Sequence, residues 1–314
     1  MAWERNPALL IHVGYPKTGT TWLQSVLFTP GFGYHQILDQ RAAYKLFVAS
    51  HPFDADADDQ AAEFQRRLAE TDPGLVPVLS SENLMGDFFR GAVAAPAHLR
   101  RLHALHPDGR VLIFIRNQLS LLPSVYMQYL RQGGAEAASR LFSDDFEMNA
   151  TGFDLRQIEY DRYVELSRAV FGPGRVRVFT QEGLARDPVG TARAIAEFAG
   201  APTEVGSAER RGPVNVGAAE FAAPALRRIN HLRSGALKRD PVLDLGPVAT
   251  SVYRGVSVLS RTRAARTLLG GFRPISKMVR ARYADRFIES NRRLASLLGD
   301  EVDLAGYPGL EPRT

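Results

Sequence analysis

The chain has 314 residues, 45% hydrophobic and 23% charged, with a net charge of +5. These values sit near globular averages and exclude disordered, collagen-like and fibrous classes. There is no cysteine, which excludes disulfide scaffolds, zinc–thiolate sites, iron–sulfur clusters and a cysteine nucleophile.

The first element is an apolar run, Ala8–Val13, closed by Gly14, the pattern of a buried strand. Broken by His12 and preceded by Glu4 and Arg5, it is too short for a leader's apolar region or a membrane span. No other stretch reaches about 18 apolar residues, so a soluble, cytoplasmic chain without a cleaved leader is expected. Gly14–Thr20 reads as a loop and Thr21–Phe28 as the helix after it. Asp56–Glu70 reads as a surface helix stopped at Asp72-Pro73-Gly74. Leu75–Ser80 is the second strand, Pro96–Leu105 a helix, and Arg110–Ile115 the strongest strand signal in the chain. A helix is predicted over Leu119–Arg131 and a small, polar loop over Gly133–Met148. Phe153–Phe171 carries apolar residues at helical spacing. Gly172-Pro173-Gly174 is a turn, Arg175–Thr180 a strand and Pro188–Ala199 a helix. Strands alternating with helices predict an α/β fold of three layers, a parallel sheet with helices on both faces. From Pro224 onward the pattern is helical.

Charge is unevenly spread. Residues 225–293 hold 16 Lys and Arg against 4 Asp and Glu, leaving 23 against 30 for the rest. This basic region predicts an anionic partner, or a solvated arginine-rich face. Within it, Val252–Leu259 and Ala264–Phe272 read as amphipathic surface helices, compatible with peripheral membrane contact.

The sharpest signal is Gly14-Tyr15-Pro16-Lys17-Thr18-Gly19-Thr20-Thr21-Trp22, between a strand and a helix. Backbone N–H groups of such a loop hold a phosphate-like anion, and the hydroxyls of Thr18, Thr20 and Thr21 add donors. Gly14 and Gly19 have the spacing of the nucleoside-triphosphate loop, but Thr20 stands where that loop has lysine. The lysine has moved inside, to Lys17. A magnesium-holding aspartate at a strand end is also missing: the later strands run into Ser80-Ser81-Glu82, Arg116-Asn117 and Thr180-Gln181-Glu182. Arg116, at the ligand edge of a parallel sheet, is placed to bind an anion itself.

These residues resemble the sulfotransferases that use 3′-phosphoadenosine 5′-phosphosulfate (PAPS). The family's 5′-phosphosulfate loop is similar to Tyr15–Gln24, and its 3′-phosphate motif, an arginine with a serine eight residues later, is similar to Arg116 and Ser124. The stretch Phe179–Pro188 looks like the family's segment before the next helix, except that Thr180 and Gln181 replace a tyrosine usual near the adenine. Phe287–Leu294 and Gly306-Tyr307-Pro308 look like the closing helix and tail of bacterial members. The resemblance covers residues 8–200 and about 283–310. It implies one domain over 1–314 with the P-loop-like sulfotransferase fold and a helical elaboration at about 225–280. It implies PAPS as donor, 3′-phosphoadenosine 5′-phosphate (PAP) as product, and no metal. Pro16, Lys17, Thr18, Gly19, Thr20, Thr21, Arg116 and Ser124 are then donor-binding residues. Trp22 either stacks on adenine or packs in the core. Arg210 and Arg211 either close over the nucleotide or form an exposed basic turn.

In this reading Lys17 neutralises the leaving phosphate and Glu82, after the strand Leu75–Ser81, takes the acceptor proton; the alternative for Glu82 is a helix-capping carboxylate. Among the histidines, His12 reads as core, His98, His103 and His106 as a surface face, and His35 as a secondary candidate for lining the acceptor pocket. A carbohydrate or glycolipid hydroxyl is the expected acceptor, with no nucleic-acid partner. Two other readings stay open, a small-molecule or nucleotide kinase on the same fold and a non-catalytic basic protein that binds membranes or anions.

Overall fold

The computed structural model describes residues 8–49, 57–143, 151–202, 217–237, 243 and 245–311. Arg210 and Arg211 lie outside them. Its strands are β1 (Leu10–Gly14), β2 (Tyr34–Gln36), β3 (Val76–Ser81), β4 (Arg110–Ile115), β5 (Phe142–Ser143), β6 (Phe153–Asp154) and β7 (Val176–Thr180). The helices of the first half are α1 (Thr20–Trp22), α2 (Gln40–Tyr44), α3 (Ala57–Ala69), α4 (Ala95–Leu105), α5 (Gln118–Arg131) and α6 (Ala138–Leu141). Those of the second are α7 (Tyr160–Phe171), α8 (Gln181–Arg186), α9 (Pro188–Ala199), α10 (Ala223–Asn230), α11 (Gly246–Leu259), α12 (Arg263–Leu269), α13 (Pro274–Tyr283) and α14 (Ile288–Leu298).

Five strands form one parallel sheet in the order β2-β3-β1-β4-β7. The central strands are apolar and buried on both faces, as parallel strands between helix layers must be. Their alternation feeds two cores. Ile11, Val13, Val111, Ile113 and Ile115 point into one; Leu10, Val78, Leu112 and Phe114 point into the other. The first core also takes Leu226, Tyr253, Val279, Phe287 and Leu294, so the basic C-terminal helices share the packing of the sheet.

The polar group on β1 fits the same plan. His12 is fully buried, with Nδ1 2.7 Å from Ser80 Oγ and its ring against Phe28 and Phe114. Burial lowers its pKa to about 3, so it stays neutral.

Several sequence expectations are corrected. The helix expected over Phe153–Phe171 is interrupted: Phe153–Asp154 pairs with Phe142–Ser143, and the Asp154 carboxylate accepts from Arg156 N at 2.9 Å, capping a tight turn. The α-helix starts only at Tyr160. The loop expected over Gly133–Met148 contains α6 and β5 in its described part. The helix after the first loop changes at Leu23 to a wider, π-type turn over Leu23–Leu27. The histidines of α4 do not form a surface face. His98 is buried with Nδ1 3.2 Å from Leu84 O, His103 packs edge-on against Phe171 at 5.0 Å, and His106 accepts from Leu9 N at 3.4 Å. They face the turn after β3, α7 and the residue before β1, against which α4 packs.

Candidate active site

β1 lies where the chain changes direction across the sheet: β2 and β3 are laid on one side of it, β4 and β7 on the other. The carboxyl ends of the strands at such a switch point open a crevice for ligands. Two segments of the chain enter it, the loop after β1 and the residues after β4.

The loop from Tyr15 to Gly19 requires two backbones in the left-handed region, Lys17 at φ 66° and Gly19 at φ 104°. At Lys17, which has a side chain, this costs about 1–2 kcal/mol. Two hydrogen bonds hold it. Thr18 Oγ1 donates to Tyr15 O at 2.6 Å, and Arg116 Nη1 donates to Lys17 O at 3.2 Å. Gly14 is needed for space, since a Cβ there would stand 2.8 Å from Thr20 Oγ1. Tyr15 is buried beneath the loop, 4.8 Å edge-on from Tyr160. Trp22 Nε1 is buried without a hydrogen-bond partner in the protein, and the buried Thr20 hydroxyl stands beside the Glu82 carboxylate.

Arg116 is fixed from several directions. Its Nε donates to Ser120 Oγ at 2.9 Å, and its own carbonyl accepts from Tyr160 Oη at 2.7 Å. The next residue, Asn117, caps α5 by accepting from Leu119 N at 3.0 Å. Its N–H donates to Glu182 Oε1 at 3.0 Å and its side chain to Gly306 O at 2.6 Å. Tyr307 donates to the other Glu182 oxygen at 3.1 Å. The tail therefore closes against the strand end that carries Arg116.

Glu82 is half-buried in the turn after β3. It does not cap that turn: Ser81 Oγ accepts from Asn83 N at 3.2 Å and does so instead. Burial raises the Glu82 pKa, opposed by the Thr20 hydroxyl and by the charges of Lys17 and Arg131. Burial lowers the Lys17 pKa, with Arg131 and Arg116 pushing the same way and Glu82 opposing. A carboxylate and an ammonium in one poorly solvated corner are the groups expected where a proton is to move.

A cavity of about 910 Å³ opens above the loop. Of the residues singled out in the sequence, Lys17, Gly19, Thr21, Trp22, Arg116 and Ser124 line it; Glu82 does not, and reaches it only beside Lys17 and Thr20. Pro16, Thr18 and Thr20 lie buried in the loop itself. His35 is elsewhere, on the edge strand β2 with Nδ1 3.1 Å from Thr71 Oγ1. Trp22 is 6% exposed and belongs to the second core, with one edge on the cavity. A smaller recess beside it is lined by Gln181, Leu184 and Pro188. Thr180 caps α8 by accepting from Gly183 N at 3.0 Å.

Sequence reasoning missed Ser120 and Arg131. Both share a face of α5 with Ser124, just beyond Arg116, and that spacing was the available signal. It also missed the far wall, where Arg254, Arg261 and Arg280 face the same cavity. Glu220 is the acidic residue among those lining it, and its carboxylate accepts from Ser276 N and Oγ, both at 2.6 Å. Among the described residues no group of three or more His, Asp or Glu is arranged to hold a metal ion.

The family model described as "Sulfotransferase family" matches residues 9–205. Among solved structures, a sulfotransferase from Alicyclobacillus acidocaldarius aligns at 17% identity, with a TM-score of 0.50, over 85% of this chain and 96% of that one. The sulfotransferase domain of the curacin biosynthetic pathway aligns at 16% identity and TM-score 0.37, over 63% of this chain and 76% of that one. Mouse sulfotransferase SULT7A1 complexed with PAP aligns at 14% identity and TM-score 0.36, over 93% and 85%. No curated protein matches the chain.

Proposed function

Because this chain belongs to the sulfotransferase family, we propose that it transfers a sulfuryl group from PAPS to an acceptor hydroxyl, without a metal, from the cavity above the Tyr15–Gly19 loop. The observation that carries the reading is the position of Lys17. It stands inside the loop rather than after it, in a corner shared with Glu82 and Arg116. The unpartnered Trp22 N–H fits a phosphate-bearing nucleotide, because it is a buried donor waiting for an acceptor.

The residues divide the work as follows. The loop amides of Pro16–Thr21 (proline excepted) and the hydroxyls of Thr20 and Thr21 hold the 5′-phosphosulfate. Thr18 uses its hydroxyl to brace the loop. Arg116, a planar fork, grips the 3′-phosphate, with Ser124 adding a hydroxyl. Trp22 and the recess beside it take the adenine. Arg210 and Arg211 belong to this reading only as candidate ligands of the nucleotide. Glu82, ionised, accepts the acceptor's proton as its oxygen bonds to sulfur. The S–O bond to the 5′-phosphate breaks, its electron pair stays on the phosphate oxygen, and Lys17 neutralises the charge that builds there. Such a preplaced donor is worth about 3–4 kcal/mol of barrier.

We read the whole chain as one domain, a reading supported by the core shared between sheet and C-terminal helices, and place it in the cytoplasm. The acceptor is a carbohydrate or glycolipid hydroxyl by family likeness. Arg254, Arg261 and Arg280 on the far wall favour an acceptor with negative charge of its own.

The test is a calorimetric titration with PAP in the absence of magnesium, with AMP and ATP as controls. Micromolar PAP binding, weak AMP binding and a loss of about tenfold to a hundredfold in Arg116→Ala are expected, the loss matching one charge-assisted contact. Binding of ATP alone, and only with magnesium, would replace the proposal with a kinase.

A further inference from the structure

Outside the cavity, the most unusual surface belongs to α11 and α12. Eleven large hydrophobic residues are exposed among the described residues, and nine of them fall within 243–272. A stretch of thirty residues thus holds nearly all of the uncovered apolar bulk of the described residues, where scattered single positions are the norm. Leu268 is 82% exposed, Val248 66%, Leu259 65% and Phe272 56%.

The exposure is directional. On α11, Val248, Val252 and Leu259 recur at helical spacing on the outward side, while Ala249, Tyr253 and Ser257 are buried. Arg254 and Arg261 flank the cavity, and Val258 both lines the cavity and is exposed. Helix α12 buries no residue at all.

The charge around these residues has one sign. From Leu245 to Ala284 there is no Asp or Glu, whereas Arg254, Arg261, Arg263, Arg266, Arg273, Lys277, Arg280 and Arg282 are all basic. Uncovered leucine, valine and phenylalanine interleaved with arginine are the composition of a surface that lies in a lipid headgroup layer. A second copy of the same face would bring Arg263 and Arg266 against their own counterparts, which opposes a dimer through it. A phosphate backbone would leave the apolar side chains in water. No helix of the described residues is long and apolar enough to cross a membrane, so contact would be along the surface.

We propose that the α11–α12 face seats on an anionic lipid bilayer, with Val248, Val252, Leu268 and Phe272 entering the headgroup layer and Arg263 and Arg266 contacting lipid phosphates. The cavity then lies about one helix diameter, roughly 10 Å, from the lipid surface, because α11 forms its wall.

The experiment is flotation of the purified full chain with vesicles of phosphatidylcholine alone, or with an equal share of phosphatidylglycerol, at low and high salt. Binding to the anionic vesicles, weakened by salt and absent with phosphatidylcholine alone, is expected. Leu268→Asp with Phe272→Asp, and separately Arg263→Glu with Arg266→Glu, are each expected to weaken binding by about tenfold or more. Their thermal midpoints should match the parent, since all four side chains are exposed. No flotation with anionic vesicles at low salt, or undiminished binding by both variants, overturns the proposal. So does a vesicle-free dimer that the same substitutions dissociate, which assigns the face to a second copy. None of these readouts requires PAPS or turnover, so they stand or fall apart from the proposed reaction.

Discussion

Lys17 and Glu82 are displaced from their ordinary titration ranges by the same cause, burial, acting in opposite directions. As base, Glu82 acts ionised, so the rate rises as pH passes upward through its raised pKa. Lys17 acts protonated, so the rate falls as pH passes upward through its lowered pKa. A bell-shaped profile of kcat is expected, narrower than free glutamate and lysine would give. Glu82→Gln is expected to lower kcat by about 10²–10⁴ and to remove the ascending limb. Lys17→Ala is expected to lower it by about 10²–10³ and to remove the descending limb. Steady-state kinetics of both variants across pH check this. His12 gives a second pH dependence, in stability. Its folded pKa, about 3, lies below the ordinary 6.5, so the unfolded chain binds one more proton between those values. Stability should therefore fall by about 1.4 kcal/mol per pH unit as pH drops through that window. Urea denaturation of the parent and of His12→Gln, in which this contribution is absent, measures it.

At the scale of elements, the closing helix is joined to α5 through a buried amide pair. Gln118 Nε2 donates to Asn291 Oδ1 at 2.7 Å, and Asn291 Nδ2 donates to Pro308 O at 3.1 Å. Asn291→Leu strands the Pro308 carbonyl and the Gln118 amide oxygen and leaves Gln118 Nε2 with only Ile158 O at 3.4 Å. It is expected to destabilise the protein by about 1–3 kcal/mol for each group stranded, read by thermal or urea unfolding. The same elements show what was legible in the sequence. The strands at Leu10–Gly14, Val76–Ser81 and Arg110–Ile115 stood out because parallel strands covered on both faces are largely apolar runs, and Val176–Thr180, at the sheet edge, by its alternation. Tyr34–Gln36 did not, being three residues long at the sheet edge. Over Phe153–Phe171 the apolar spacing continues across the Asp154 cap, so periodicity alone merged a strand, a tight turn and a helix. Of the candidate site, the loop was legible because its chemistry is contiguous, from Gly14 to Trp22. Ser120 and Arg131 were hidden in the spacing of one helical face. Arg254, Arg261 and Arg280 reach the cavity only through tertiary packing, which local sequence does not encode.

At the scale of the molecule, the positive charge that looked like a property of residues 225–293 is divided between two places, the cavity wall and the outer face of α11–α12. Both act through screened electrostatics, and they are separable. Affinity for PAP should weaken as ionic strength rises from low to physiological, where the Debye length shortens to about 8 Å. Leu268→Asp with Phe272→Asp should leave that salt dependence unchanged, which calorimetry in a salt series checks. The tail has a consequence in time as well as in space. Asn117 and Gly306, which are bonded to each other, are 189 residues apart. A ribosome adding about 5–20 residues per second places the second some ten to forty seconds after the first. For that interval the strand end bearing Arg116 is already outside the exit tunnel without its lid of Gly306 and Tyr307. A nascent chain interrupted before the tail keeps the phosphate loop and the Thr18 and Arg116 hydrogen bonds that hold it, but leaves the Asn117 side chain without its Gly306 acceptor and Glu182 without Tyr307.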